Sequence, residues 1–181
     1  RLIERLQGSV EGCGRPNGDG NWFPACPQAQ LSLDADDQIW KLSVPVAAGD
    51  YEYKAAINGT WDENYGAGGA RNGSNINYQP PGGTVDFYYD HATHWVTSNA
   101  QGPILTAAGS FQSELGCPGD WQPDCMRPWL QDLDGDGTYT FASVKIPAGT
   151  YEFKVTHGLS WDESYPADNV TLNVPADGLL V

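Results

Sequence analysis

One sequence module occurs twice in this chain, and the second copy follows about one hundred residues after the first. The segment 48–54 returns as 148–154 with the same Ala-Gly-x-Tyr-Glu-aromatic-Lys pattern. The run Trp61-Asp-Glu-Asn-Tyr65 likewise returns as Trp161-Asp-Glu-Ser-Tyr165. A chain of 181 residues built this way predicts two domains of about 90 residues each. We place them at residues 1–99 and 100–181.

The composition favours short strands over helices. The chain holds 22 Gly and 13 Pro, and turn signals separate alternating segments at intervals of about 8–12 residues. This pattern predicts an all-β fold of sandwich or barrel type in each module. The strands predicted in the first copy are Leu31–Leu33, Ile39–Val46, Tyr51–Ile57, Thr60–Tyr65, Ser74–Tyr78 and Val85–Tyr89.

The clearest local element is a hairpin that turns at Asn58-Gly59, a pair typical of a type I′ turn. A two-residue turn would place Ala56 opposite Trp61 and Lys54 opposite Glu63. It would also place Glu52 opposite Tyr65. Alternation along the strands then predicts that these six residues form the outward face of the hairpin.

Such a face has the chemistry of a sugar platform, because the C–H face of a sugar ring packs on an aromatic ring while polar groups bind its hydroxyls. The predicted sugar-binding residues are Lys54, Trp61, Glu63, Asn64 and Tyr65 in the first copy and Lys154, Trp161, Glu163 and Tyr165 in the second. Trp22 and Trp121 are second-tier candidates, since a tryptophan beside a disulfide also serves as local core. The alternative interpretation is that a loop or the other module covers Trp61 and Trp161.

Four cysteines form two sequence-local pairs, Cys13/Cys26 and Cys117/Cys125. No histidine stands at ligand spacing from them, so zinc is disfavoured and two disulfides are expected. Disulfides indicate an oxidising compartment, and we therefore expect a secreted, extracellular or cell-surface protein.

The formal net charge is −14, which repels phosphate backbones and anionic lipid. Nucleic acid is therefore not an expected partner, and the absence of a long apolar run predicts no membrane insertion. Asp62 and Glu63 are strand neighbours that point to opposite faces, so they cannot flank one glycosidic bond. His91 and His94 lack a third metal ligand and are interpreted as surface histidines. We expect no catalytic residues and no enzyme activity.

The run 51–66 resembles the tandem accessory modules of bacterial pullulanases and amylopullulanases. The same resemblance extends to the Gly-Ser…Cys…Trp-x-Pro-x-Cys openings of both copies and to the ending Phe87–Trp95. These modules are also similar to those of outer-membrane starch-binding lipoproteins. The resemblance implies two immunoglobulin-like β-sandwiches that bind α-glucan (starch, glycogen or pullulan) without catalysis, as part of a secreted amylolytic enzyme. It also implies that Lys54 and Trp61, with Lys154 and Trp161, lie in the sugar sites, while the change of Asn64 to Ser164 weakens the second site.

Two further features leave alternatives open. The second copy ends at Val181 without a counterpart of the strand predicted around 86–96, so the missing strand would come from absent C-terminal residues or by donation from another chain. A structural spacer or a strand-exchanging fibre subunit is therefore the alternative function. Asp132, Asp134 and Asp136 resemble the start of a calcium loop, but Ser143 replaces the final acidic ligand, and a hairpin turn is the preferred interpretation. No other cofactor is expected.

Overall fold

The computed structural model describes residues 4–7, as backbone only, and residues 21–176. The chain divides into two compact units, the first comprising Arg1–Asp34 with Ile39–Gly102 and the second Ala35–Gln38 with Pro103–Val181. Apart from one helical turn and two short 3₁₀ turns, the regular elements of the described residues are strands, which confirms the all-β class.

The strands of the first unit are β1 (Glu4–Gln7), β2 (Ser32–Leu33), β3 (Ile39–Val46), β4 (Tyr51–Ile57), β5 (Asn64–Tyr65), β6 (Ile76–Tyr78), β7 (Gly83–Asp90) and β8 (Val96–Ser98). The 3₁₀ turns are Pro27–Ala29 and Ala67–Gly69. The second unit contains β9 (Leu105–Gly109), the helical turn α1 (Gln112–Leu115), β10 (Trp129–Leu130), β11 (Gly149–His157) and β12 (Glu163–Val174). The bounds predicted for β3 and β4 are confirmed, whereas the strand predicted over Thr60–Tyr65 is reduced to its last two residues.

The described residues of the first unit form two antiparallel sheets. In one sheet β4 pairs with β1 on one side and with β5 and β6 on the other, and the second sheet has the order β2-β3-β7-β8. Alternate side chains of β4 and β7 enter one core, where the rings of Tyr53 and Phe87 meet edge to face with centroids 5.2 Å apart. Burial of these aromatic and branched side chains supplies the main stabilisation of the unit.

The described part of the second unit contains one antiparallel sheet, in the order β10-β9-β11-β12. Its core is smaller and gathers around Phe111, Leu115 and Ile146. Phe153 on β11 is half-buried, although its counterpart Tyr53 is fully buried. The sheet of the second unit therefore carries apolar side chains that are less covered than their counterparts in the first.

A tyrosine packs against a glycine at the start of the central strand in both units. A Cβ atom on Gly49 would lie 2.9 Å from Cζ of Tyr51, and one on Gly149 would lie 3.3 Å from the ring of Tyr151. The hydroxyl of Tyr151 donates a hydrogen bond to the carbonyl of Pro147 at 3.0 Å. The repeated Ala-Gly-x-Tyr segment thus forms the same corner twice, and a larger residue in place of either glycine would require the tyrosine ring to shift.

The predicted disulfide between Cys117 and Cys125 is confirmed. Cys26 is buried and disulfide-bonded, but Cys13 lies outside the described residues. No helix among the described residues has the length and apolar character needed to cross a membrane. The predicted missing strand concerns the end of the chain, of which 177–181 lie outside the described residues.

Candidate functional site

Two tryptophan pairs are the most distinctive surface feature of the molecule, one in each unit. The ring centroids of Trp22 and Trp61 lie 6.0 Å apart at an interplanar angle of 44°. Those of Trp121 and Trp161 lie 6.3 Å apart at 37°. Trp61 is 36% exposed and Trp161 is 44% exposed, so both indoles are partly accessible, and each pair presents a tilted aromatic surface to solvent.

One tryptophan of each pair has a left-handed backbone. The φ angle is 62° at Trp22 and 58° at Trp121. This conformation is rare for a large side chain and costs energy, and such residues are concentrated at functional sites. The same unfavourable geometry occurs at corresponding positions of both copies, which indicates that the orientation of this indole matters.

A hydrogen-bond network holds the Trp121 loop in place. The backbone amide of Trp121 donates to the carbonyl of Gly109 at 3.1 Å. The side chain of the buried Gln112 pairs with both backbone groups of Gln122, accepting from its amide at 2.8 Å and donating to its carbonyl at 2.7 Å. The carboxylate of Asp120 accepts from the amide of Ser113 at 2.8 Å. Together with the adjacent disulfide, these contacts restrict the backbone on both sides of Trp121.

The partner tryptophan of each pair lies in a short loop between two strands. In the first unit the hydroxyl of Thr60 accepts a hydrogen bond from the amide of Asp62 at 3.4 Å, and in the second Ser160 accepts from Asp162 at 3.2 Å. Such local turns are typical of Ser and Thr. Both units therefore present Trp61 or Trp161 from the same turn.

The predicted hairpin register was wrong by three residues. The turn forms as expected at Asn58 and Gly59, which have φ angles of 55° and 69°, but the amide of Ile57 then pairs with the carbonyl of Glu63 at 2.9 Å. The extra residues of the turn place Ala55 opposite Tyr65, and they place Val155 opposite Tyr165 in the second unit. An odd shift exchanges the two faces of a strand, so the prediction that Tyr65 points outward was wrong.

The shift has different consequences in the two units. Tyr65 is only 6% exposed and belongs to the first core, whereas Tyr165 is 63% exposed. Ala56 and Thr156, predicted to face outward beneath the tryptophans, are fully buried. In the second unit the hydroxyls of Thr156 and Thr106 are 2.7 Å apart, and Thr106 donates to the carbonyl of Pro123 at 2.7 Å. The loop that carries Trp121 therefore covers Thr156.

The predicted polar residues differ in their exposure. Asn64 is buried and donates to the carbonyl of Trp61 at 3.1 Å, so it supports the platform rather than facing solvent. Glu63 is half-buried and accepts from the Tyr65 hydroxyl at 2.7 Å. Glu163 is exposed and bonds Nδ1 of His157 at 2.8 Å; that hydrogen bond holds the pKa of Glu163 below its ordinary value.

Lys54 and Lys154 are half-buried on the central strands. The ammonium of Lys154 donates to the carbonyl of Ala167 on β12. On the same strands, Glu52 accepts from the side-chain amide of Asn75 at 3.1 Å, and Glu152 accepts from Asn169 at 3.3 Å. A Lys, Glu and Asn set therefore recurs in both units. Whether these residues and the tryptophans contact a sugar remains a prediction.

Sequence reasoning missed two features of this region. It treated Trp22 and Trp61 as separate candidates, because their contact depends on the left-handed backbone at Trp22, which no residue pattern shows. It also missed an open groove of about 810 Å³ in the first unit, whose wall includes Trp22, Tyr51 and Tyr78. The only signal for either was that Trp22 and Trp121 both precede a cysteine at short spacing.

The carboxylate oxygens of Asp132, Asp134 and Asp136 lie within 4.8 Å of one another. Asp132 accepts from the amides of Asp136 and Gly137 at 3.1 Å each, as in a tight acidic turn. The calcium interpretation remains a prediction. His91 and His94, interpreted as surface histidines, are half-buried and pack against Tyr89, whose hydroxyl lies 2.8 Å from Nδ1 of His94.

Comparison with known proteins identifies the relatives of this chain. A family model described as the pullulanase X25 domain matches residues 6–96 and 104–181. The amylopullulanase of Thermoanaerobacter thermohydrosulfuricus is 29% identical over 175 residues, which cover 88% of this chain and 12% of that protein. The amylopullulanase of Thermoanaerobacterium saccharolyticum is 30% identical over 164 residues, which cover 84% of this chain and 12% of that protein.

Among solved structures, the pullulanase from Bacillus acidopullulyticus matches 91% of this chain and 17% of its own, with a TM-score of 0.44 and 19% identity. The chain thus spans only a small part of the length of each of these proteins.

Proposed function

The chain belongs to the pullulanase X25 domain family, a non-catalytic accessory domain of pullulanases, and from that premise we propose that it binds α-glucan through its two tryptophan pairs. The proposed ligand is a chain of starch, glycogen or pullulan. The proposed sites are Trp22 with Trp61 and Trp121 with Trp161. The parent protein would be a secreted amylolytic enzyme, in which this part holds substrate near a separate catalytic domain.

The observation that carries this proposal is the recurrence of a tilted indole pair in both units. The planes within the pairs meet at 44° and 37°. Successive rings of an α-linked glucan turn relative to one another, so a bent aromatic surface can contact two rings where a flat surface would contact one. Stacking of the apolar sugar faces on indole supplies the binding energy.

The polar groups on the central strands β4 and β11 suit a neutral ligand. Lys54 and Lys154 offer donors, while Glu52 and Glu152, each held by an asparagine, offer acceptors for hydroxyls. The net charge of −14 disfavours anionic polysaccharides. A shallow site of this kind is expected to be weak, because stacking gains little beyond the cost of ordering a flexible polymer.

We also propose that each unit is an immunoglobulin-like sandwich. The two sheets of the first unit share one core, and the corner formed by Gly149 and Tyr151, with its bond from the hydroxyl to the Pro147 carbonyl, resembles the tyrosine corner of such folds.

Affinity electrophoresis in native gels with and without soluble starch tests the binding proposal. We expect starch to retard the wild type, Trp61→Ala and Trp161→Ala each to reduce the retardation, and the double variant to abolish it. Val144→Ser serves as the control, because Val144 is 76% exposed in the second unit and distant in sequence from both tryptophans. A parallel gel with a soluble β-glucan tests linkage selectivity. Equal migration of the wild type in the gels with and without starch would reject α-glucan binding and favour a structural spacer.

A further inference from the structure

The open groove of the first unit begins at the tryptophan platform. Trp22 contacts Trp61 and is also one of the residues that line the groove. The groove has a volume of about 810 Å³, which lies within the range of roughly 300–1,000 Å³ typical of small-molecule sites. A ligand stacked on the tryptophan pair could therefore continue directly into the groove.

The aromatic part of the wall consists of three rings. Tyr51 and Tyr78 lie beside each other with centroids 5.8 Å apart, and Trp22 completes the set. Burial raises the pKa of Tyr78 to about 12, so its hydroxyl remains protonated and uncharged at neutral pH. Tyr78 is only 4% exposed, so its ring backs the wall, whereas the half-buried rings of Trp22 and Tyr51 provide the apolar surface that a ligand reaches.

The polar part of the wall consists of amides and carboxylates. Asp50, Asn77 and Gln79 are exposed, and among the described residues their side chains form no hydrogen bond. None of the described residues that line the groove is basic. Free amide and carboxylate groups next to aromatic rings match the alternating hydroxyls and C–H faces of a neutral sugar, whereas a phosphorylated or acidic ligand would be repelled.

We propose that this groove is an extended subsite that binds further sugar rings of the same glucan chain held by Trp22 and Trp61. This inference rests on the proposed function and adds to it that the first unit prefers longer oligosaccharides. Asp50, Asn77 and Gln79 are assigned as the groups that bind hydroxyls beyond the platform.

The test compares maltotriose with maltoheptaose by isothermal titration. All proteins are the full chain with the substitution Trp161→Ala, so that the measured heat of binding comes from the first unit. We expect this parent to bind maltoheptaose about tenfold more tightly than maltotriose. Adding Asn77→Ala with Gln79→Ala should remove most of that difference while leaving maltotriose affinity unchanged. Adding Asp50→Ala instead, in the turn before β4, should also reduce the difference between the two affinities.

Adding Thr84→Ala, at an exposed position on β7 of the other sheet, provides the matched control and should change neither affinity. The subsite is rejected if the ratio of the two affinities survives both groove variants. If the parent binds neither oligosaccharide, the proposed function itself is rejected. If the parent binds both oligosaccharides with equal affinity, the platform is supported and the subsite is rejected.

Discussion

The ring of Tyr65 is stacked on the imidazole of His94, with centroids 3.9 Å apart and planes inclined by only 6°. The stack joins β5 to the turn between β7 and β8, where His94 has a φ angle of 64°. Tyr65 is therefore part of the core of the first unit, although its counterpart Tyr165 is exposed. The same register thus places one tyrosine in a core and the other in solvent.

Replacement of these two tyrosines should have very different effects on stability. Tyr65→Ala removes a buried ring and should lower the free energy of unfolding of the first unit by about 3 kcal/mol. Tyr165→Ala removes an exposed ring and should change stability by no more than about 0.5 kcal/mol. Urea unfolding followed by fluorescence measures both. Equal losses for the two variants would contradict the difference in burial between the two tyrosines.

Stability of the first unit should fall as the pH is lowered through the range in which His94 titrates. Burial lowers the pKa of His94 from its ordinary value of 6.5, and His91 lowers it further, while Glu63 and Asp90 oppose the shift. The unfolded chain then binds this proton more readily than the folded one. The contribution is fully present above about pH 6.5 and is lost as the pH falls from there through the lowered pKa of the folded state.

The measurement is urea unfolding of the wild type and His94→Gln at pH values between about 7.5 and 5. The variant should show a shallower dependence on pH across this range. Thr84→Ala, at an exposed position of the first unit, removes no titratable group, so it serves as the control and should keep the wild-type slope. Identical slopes for the wild type and His94→Gln would assign the pH dependence to other groups.

The repeat, the strand bounds of β3 and β4, the turn at Asn58 and the Cys117–Cys125 disulfide could be predicted because each depends on local residue pattern. The register of β5 could not, because alternation assumes a regular strand after the turn, whereas Thr60 and Asp62 form a second turn instead. The burial of Tyr65 could not be predicted either, since it depends on a contact with His94, which is distant in sequence.

The candidate site was predictable only in part. Trp61 and Trp161 are exposed as expected, but the expectation came from alternation in a register that was wrong, whereas in the structure a loop between two strands presents them. Their pairing with Trp22 and Trp121 depends on backbone conformations that are unfavourable in isolation and are maintained by tertiary contacts such as that of Gln112 with Gln122.

Gln112 should therefore be important for both the stability of the second unit and the position of Trp121. Gln112→Ala leaves the amides of Gly109 and Gln122 without their acceptor and should cost about 2–4 kcal/mol in the free energy of unfolding. Gln122→Ala is the matched control, because only the backbone of Gln122 takes part in these bonds. In a Trp61→Ala chain, Gln112→Ala should also reduce starch retardation at temperatures where the unit remains folded. Retardation equal to that of the Gln122→Ala control would show that Trp121 does not depend on this network.

The two tryptophan pairs should act together on a polymer and separately on short sugars. A short ligand can occupy only one site, so Trp161→Ala should halve the number of maltotriose molecules bound and leave their affinity unchanged. A starch chain held at Trp61 raises the effective concentration of further sugar at Trp161, so the same substitution should weaken starch binding by more than about tenfold. Titration with maltotriose and affinity electrophoresis in a series of starch concentrations measure the two effects. A twofold loss on starch would mean that the sites bind independently, in which case the repeat adds capacity rather than affinity.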